Sequence, residues 1–300
     1  MESQPTETIE APAMRLSEVS REGARRLLAG GIDRAALDAE LLLGHALELS
    51  REQLVLAAGK VVRSSQLSAY ERLLARRCAH EPLAYITGRR EFWSLDFHVT
   101  PAVLIPRPET ERLVEIVLQL VGELPSRQRL RIVDIGTGSG AIAVALASEL
   151  AGAEIFVTDI SAAALAVAAE NAASHRVTGK IEFVHGDLLD GLRADRPFDL
   201  IVSNPPYIRR AEIDALEPEV SRWEPRGALD GGLDGLDYFR RIAKEAFDYL
   251  RPNGAVAVEI GAGMGEAVAV LFKDNAGCAE VEIYNDYAGT DRVVVARKSV

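Results

Sequence analysis

From Pro108 onward, short apolar runs alternate with longer amphipathic stretches, and this rhythm narrows the possible folds more than any other feature. Strands are expected at Leu130–Ile135, Glu154–Asp159, Ile181–His185, Asp199–Ser203 and Gly254–Ile260. Helices are expected at Glu109–Gly122, Ala141–Leu150, Ala162–Ser174, Leu236–Leu250 and Met264–Asn275. A strand that is followed by a helix and then another strand returns in the same direction. The expected result is a parallel sheet covered by helices on both faces. Val281–Tyr284 and Arg292–Ala296 have no helix between them and are expected to pair as an antiparallel edge. The class is therefore α/β, with a Rossmann-like sheet of seven strands.

Before Pro108 the rhythm differs. Residues 1–13 are polar and acidic, unlike a secretory signal, and read as a disordered lead. Residues 14–80 read as a small helical bundle. Asp33 is placed to cap a helix carrying Leu37, Leu41 and Leu42, and Ser50-Arg51-Glu52-Gln53 fits a capping box. Leu67, Tyr70, Leu74 and Cys78 fall at helical spacing. Arg25-Arg26 and Arg76-Arg77 read as solvated helix faces. Residues 81–105 read as a β-hairpin linker, with strands at Ala84–Thr87 and Glu91–Val99 and a turn at Gly88-Arg89-Arg90. The α/β domain then occupies residues 106–300.

The net charge of −11 argues against a protein that holds nucleic acid by its phosphates alone. Residues 1–80 carry 11 basic and 11 acidic side chains, so the acidic excess lies wholly in the later part. No apolar run approaches the roughly 20 residues of a membrane span. Cys78 and Cys278 show no metal or redox spacing, which suits reduced thiols in a cytoplasmic protein. A monomer is expected, with no metal.

Two loops can carry chemistry. Gly136-Thr137-Gly138-Ser139-Gly140 follows the first expected strand of the sheet. Glycine there permits positive φ and lets a ligand approach the backbone. The same spacing also satisfies a dinucleotide fingerprint. Asp159 ends the next strand, where an acidic side chain can accept ribose hydroxyls, or can instead cap the helix after Ser161. Asp187 and Leu188 follow the third strand, placed to meet an adenine ring through its amine and its face. Asp187 reads equally well as a solvated loop aspartate.

The second loop is Asn204-Pro205-Pro206-Tyr207, at the end of the fourth strand. The Asn side-chain oxygen and the Pro205 carbonyl are two acceptors aimed at one point, which suits an NH₂ group. Tyr207 can lie flat on a planar target. Together the loops point to methyl transfer from S-adenosylmethionine to an sp²-bonded nitrogen, leaving S-adenosylhomocysteine. Such a nitrogen is barely nucleophilic, so the site must orient it and stabilise growing positive charge. Orientation supplies roughly 7–11 kcal/mol in well-aligned intramolecular cases. Fixed oxygen dipoles supply the second requirement. Neither a metal nor a protein nucleophile is called for.

With these residues in place, the sequence resembles the HemK-type protein-(glutamine) methyltransferases that modify peptide chain release factors. The segments that carry the likeness include Glu81-Pro82-Leu83-Ala84-Tyr85-Ile86-Thr87-Gly88, Leu104-Ile105-Pro106-Arg107-Pro108-Glu109-Thr110-Glu111, Asp134 to Gly140, Ile201 to Ile208, and Asp286 to Arg292. The resemblance implies an adenosylmethionine-dependent methyltransferase domain preceded by a helical bundle and a hairpin. It implies a target glutamine in a Gly-Gly-Gln tripeptide of the release factor. Gly136 to Gly140, Asp159 and Leu188 would then bind the cofactor and Asn204 to Tyr207 the glutamine, with Asn204 bordering both. A ribosomal-protein glutamine methyltransferase shares this chemistry, but that branch usually reads Arg-Ser-Pro where this chain has Arg107-Pro108-Glu109. A DNA adenine methyltransferase would also suit Asn-Pro-Pro-Tyr, yet it needs a basic recognition region. An adaptor that binds adenosylmethionine without turnover is disfavoured by the intact Asn204.

Overall fold

The computed structural model describes residues 14–124 and 129–300; the lead expected over residues 1–13 lies outside them. The chain forms two compact units, one ending at Thr87 and one beginning at Gly88.

The first unit is helical, with α1 (Leu16–Ala29), α2 (Ala35–Leu47), α3 (Arg51–Leu56), α4 (Ser64–Cys78) and α5 (Leu83–Thr87). Leu27, Leu42, Tyr70 and Leu74 fill its core. The Ser50 capping box forms as expected, with Gln53 answering the Ser50 N–H at 2.8 Å. Four expectations need correction. The N-cap of α2 is Arg34, and Asp33 lies one residue too early in the preceding turn. Leu37 and Leu41 face outward, because α2 turns Asp38, Ala39 and Leu42 to the core instead. Asp38 is tolerated there by a 2.7 Å bond from the Arg77 guanidinium, so Arg77 is buried rather than solvated. Residues 84–87 are helical: the Pro82 carbonyl accepts the Tyr85 and Ile86 N–H groups and starts a helical turn.

The second unit opens with the hairpin of β1 (Arg89–Phe92) and β2 (Leu95–His98). Its turn is Trp93-Ser94, both at φ +55°, a mirror-type turn without glycine. The Trp93 N–H donates to Glu111 Oε1 at 2.9 Å. Phe92 and Phe97 are fully buried in the core of this unit, so the hairpin is part of the domain and not a free spacer. After a 3₁₀ turn at Pro108–Thr110, the chain runs through α6 (Glu111–Glu123), β3 (Leu130–Ile135), α7 (Ala141–Glu149), β4 (Ala153–Asp159), α8 (Ala162–Ser174), β5 (Ile181–His185) and β6 (Phe198–Ser203). Then follow α9 (Pro218–Ser221), α10 (Asp237–Tyr249), β7 (Leu250–Glu259), α11 (Gly265–Lys273), β8 (Cys278–Asn285) and β9 (Asp291–Lys298).

The seven strands lie in the order β5-β4-β3-β6-β7-β9-β8. The first five are mutually parallel, and β9 runs antiparallel to both β7 and β8. Side chains alternate between faces. Ile132, Leu200 and Val202 pack with α6 and α7 on one face, while Val133, Ile201 and Val256 pack with α10 and α11 on the other. Among the described residues no helix is long and apolar enough to cross a membrane. The strand order reverses between β3 and β6, where the loops at the carboxyl ends diverge. That divergence leaves a crevice, the usual ligand position in open α/β sheets.

Candidate active site

Ile135 and Ser203 are register partners at the ends of β3 and β6, so Gly136 and Asn204 leave the sheet side by side. Both open on a cavity of about 420 Å³. One wall includes Gly136, Thr137, Gly138, Ser139, Asp159, Asp187 and Leu188. Val103, Pro106, Arg107 and Thr110 close another side, and Asn204 and Pro206 border it.

The glycine loop owes its path to backbone freedom. Gly136 and Gly138 sit at φ +68° and +57°, and a Cβ on either would meet no described atom within 4 Å. The space beside them is open cavity. Gly140, at φ +79°, is different: its Cβ would come 3.0 Å from the Ala168 Cβ on α8. It is required for helix packing and does not line the cavity.

Asp159 binds the loop to its own strand. One carboxylate oxygen accepts the Gly138 N–H at 2.9 Å and the other accepts the Ser161 N–H at 2.8 Å. Each oxygen keeps lone-pair capacity for a further donor. Ser161, not Asp159, caps α8 by accepting the Ala164 N–H. Below the loop lies Asp134, fully buried, whose Oδ2 accepts the Thr137 hydroxyl at 2.7 Å. Burial, aided by the charge on Asp159, pushes its pKa up to about 7 against the pull of Thr137. Asp187 borders the cavity but pairs with the Arg241 guanidinium at 2.8 Å. Leu188 is nearly buried, at φ +54°.

On the other side, Asn204 Nδ2 donates to Thr110 Oγ1 at 3.1 Å, leaving its oxygen free to face the cavity. Pro205 is buried and Tyr207 half-buried, and neither lines the cavity. Tyr207 packs against Gly261, where a Cβ would lie 3.1 Å from its ring. Burial, with the Glu259 charge adding to it, raises the Tyr207 hydroxyl to about 12. The backbone of this loop is closely held. A Cβ at Gly231 would fall 2.7 Å from Tyr207 Cα, and one at Gly235 would fall 2.5 Å from the Tyr207 carbonyl oxygen. Ile208 exchanges backbone bonds with Leu229 and Gly231 at 3.0 and 2.8 Å.

Sequence reasoning assigned no role to Arg107, Thr110, Glu224 or Glu259. Arg107 holds both oxygens of Glu224, at 2.8 and 2.7 Å. Burial raises the Glu224 carboxyl, and Arg107 opposes the shift. Arg107 and Thr110 belong to the Ile-Pro-Arg-Pro-Glu-Thr-Glu segment, so its signal was visible without its meaning. Glu259 offered only its place at the carboxyl end of a strand.

Comparison with known proteins shows the family. A family model described as "PrmC N-terminal domain" matches residues 18–88, and one described as "Methyltransferase small domain" matches residues 117–217. The chain is 44% identical over 283 residues to the release factor glutamine methyltransferase of Moorella thermoacetica, covering 94% of this chain and 98% of that protein. It is 42% identical over 286 residues to the protein of the same name in Nitratidesulfovibrio vulgaris, covering 95% and 96%. Among solved structures, the catalytic domain of human Mettl16 in complex with the MAT2A 3'UTR hairpin 6 aligns with a TM-score of 0.55 at 17% identity. That alignment covers 79% of this chain and 84% of the other, and it shows the fold alone. With relatives this similar over nearly its whole length, the chain belongs to the release factor glutamine methyltransferase family.

Proposed function

We propose that this chain transfers the methyl group of S-adenosylmethionine to the side-chain amide nitrogen of the glutamine in the Gly-Gly-Gln motif of peptide chain release factors. The observation that carries the reading is the shared cavity: Gly136 and Asn204 leave neighbouring strands and border the same space. Its volume of about 420 Å³ lies in the usual range for small-molecule sites. The residues fit the cofactor. Gly136 and Gly138 leave open space where side chains would stand, Asp159 has acceptor capacity for ribose hydroxyls, and Leu188 offers an apolar face to adenine. Asp187 would meet the adenine amine alongside its pairing with Arg241.

Adenosylmethionine, when bound, supplies an electrophilic methyl group on sulfur. The chain supplies orientation and charge stabilisation. Asn204 accepts a hydrogen bond from the glutamine NH₂ through Oδ1, fixing the nitrogen and stabilising positive charge as it develops. Pro206 borders the target, and Pro205 and Tyr207 hold the loop in shape. The glutamine nitrogen loses its proton to water after alkylation. This reading of the substrate favours a cytoplasmic enzyme.

The test is incubation of the purified chain with methyl-labelled adenosylmethionine and full-length release factor, followed by mass spectrometry. The expected product is a single methyl on the Gly-Gly-Gln glutamine. Label on a ribosomal protein or on DNA adenine, with the release factor unmodified, would replace this reading.

We assign the helical bundle to recognition of the release factor, since every cofactor and target residue named above follows Thr87. A chain beginning at Gly88 is expected to bind adenosylmethionine but to methylate intact release factor poorly. Unchanged kcat/KM in that shortened chain would remove the bundle from recognition.

A further inference from the structure

Glu259 ends β7 and is only 1% exposed. Among the described residues its Oε2 has no hydrogen-bond partner, and because Val258 is the register partner of Ser203, Glu259 leaves β7 beside Asn204, whose amide bonds the Thr110 hydroxyl. A buried carboxyl this poorly solvated costs stability, and an apolar residue of similar size would fill the same space more cheaply. Its position beside two residues of the cavity wall suggests why it is there. We propose that Glu259 is a positioning residue that locks the Asn204 amide with its oxygen toward the cavity. The inference rests on the reading of Asn204 as the acceptor for the target nitrogen.

The argument follows the protons. An Asn side chain has an accepting end and a donating end of nearly equal shape, so its environment must choose between two flips. Thr110 alone cannot choose. Its hydroxyl can accept from Asn204 Nδ2, as it does at 3.1 Å, or donate to Asn204 Oδ1 in the flipped state. Glu259 breaks the tie in its ionised form, because a carboxylate only accepts; burial pushes its pKa up to about 7, so the lock is complete only above that pH. Ionised, it would draw the Thr110 proton toward itself, which leaves the Thr110 oxygen as an acceptor facing Asn204. It also favours the donating end of the amide directly. A flipped amide would turn its NH₂ toward the NH₂ of the target and offer it no acceptor.

Glu259→Leu should therefore lower kcat on the order of 10²-fold, as misplacement of a catalytic group does, while KM for adenosylmethionine stays near the parent value. Glu259→Gln, whose amide can present either an accepting or a donating end, should recover only part of that loss. The double variant Asn204→Ala/Glu259→Leu should be no slower than Asn204→Ala, because the locked group is already gone. A folded Glu259→Leu variant with parental kcat, measured beside an Asn204→Ala variant that has lost turnover, would overturn the inference and leave the Asn204 reading standing. Parental kcat in Asn204→Ala would bring down the Asn204 reading itself, and this inference with it. If Glu259→Leu shows no cooperative melting transition, Thr110→Val and Thr110→Ser decide. Valine should reproduce the loss and serine should restore activity, and equal activity in the two would refute the lock.

Discussion

The two halves of the site are built in opposite ways. On the β3 side, the backbone at Gly136 and Gly138 faces open space, with no described atom within 4 Å of a hypothetical Cβ. On the β6 side, Asn204 to Tyr207 is enclosed by backbone from a later loop, and Gly231 and Gly235 approach within distances no side chain could share. The first half is shaped by what is missing and the second by what presses on it. A cofactor needs room, whereas a weak nucleophile needs its orienting acceptor held still.

Gly138→Val should show the largest effect. The variant keeps its fold, since nothing nearby collides, although a branched residue at φ +57° is strained by roughly 1–2 kcal/mol. Its side chain fills the cofactor's space, so calorimetry should detect no binding of adenosylmethionine. Near-normal affinity would show that the open half is not the cofactor's.

Asn204→Ala should separate the halves. Loss of an acceptor used mainly in the transition state lowers kcat by roughly 10²–10³, while adenosylmethionine affinity stays close to that of the parent. Equal losses in binding and turnover would mean that the two halves do not divide the work in this way.

Gly231→Ala tests the enclosure. One methyl group there must displace the backbone of Pro206 and Tyr207. Overpacking of this kind typically costs about 1–3 kcal/mol. The expected result is a lower melting temperature and reduced kcat with cofactor binding retained. A variant as active and as stable as the parent would show that the loop has slack.

The same contrast explains what could be read from the sequence. The open half is local: three glycines in five residues announce positive φ, and the acid at the end of the next strand follows by topology. The enclosed half is not local. Gly231, Gly235 and Gly261 meet Tyr207 only through the fold, and nothing near them in the sequence marks them as partners. Glu259 and Thr110 are hidden for the same reason. Strands β3 to β6 were legible to within a residue, because buried parallel strands are continuous apolar runs, whereas β7 begins four residues and β8 three residues earlier than their apolar runs suggest. The hairpin register was not. Trp93 and Ser94 adopt the left-handed turn that Asn-Gly usually marks, so the visible glycine at position 88 drew the turn away from its place. The outward turn of Leu37 and Leu41 was likewise concealed, since the buried partner of Asp38 lies on a different helix.

The smallest effect concerns the support beneath the open half. Asp134 is fully buried, its Oδ1 has no partner among the described residues, and its pKa stands at about 7 against an ordinary value of 3.8. The folded state thus binds this proton more tightly than the unfolded chain does. The resulting stabilisation is complete below about pH 4 and is lost as pH rises through about 7. Asp134→Asn has no proton to lose, so its stability relative to the parent should rise across that window, by at most on the order of 4 kcal/mol, and then level off. Titrations elsewhere, including that of Glu259, occur in both proteins and largely cancel in the difference. Both tryptophans, Trp93 and Trp223, lie in the unit that begins at Gly88, so urea unfolding followed by their fluorescence reports on that unit. A difference between the two proteins that stayed constant from pH 4 to 8 would mean that Asp134 is already charged in the fold. In that case the glycine loop would rest on a buried carboxylate, and the open half would be held by charge as well as by shape.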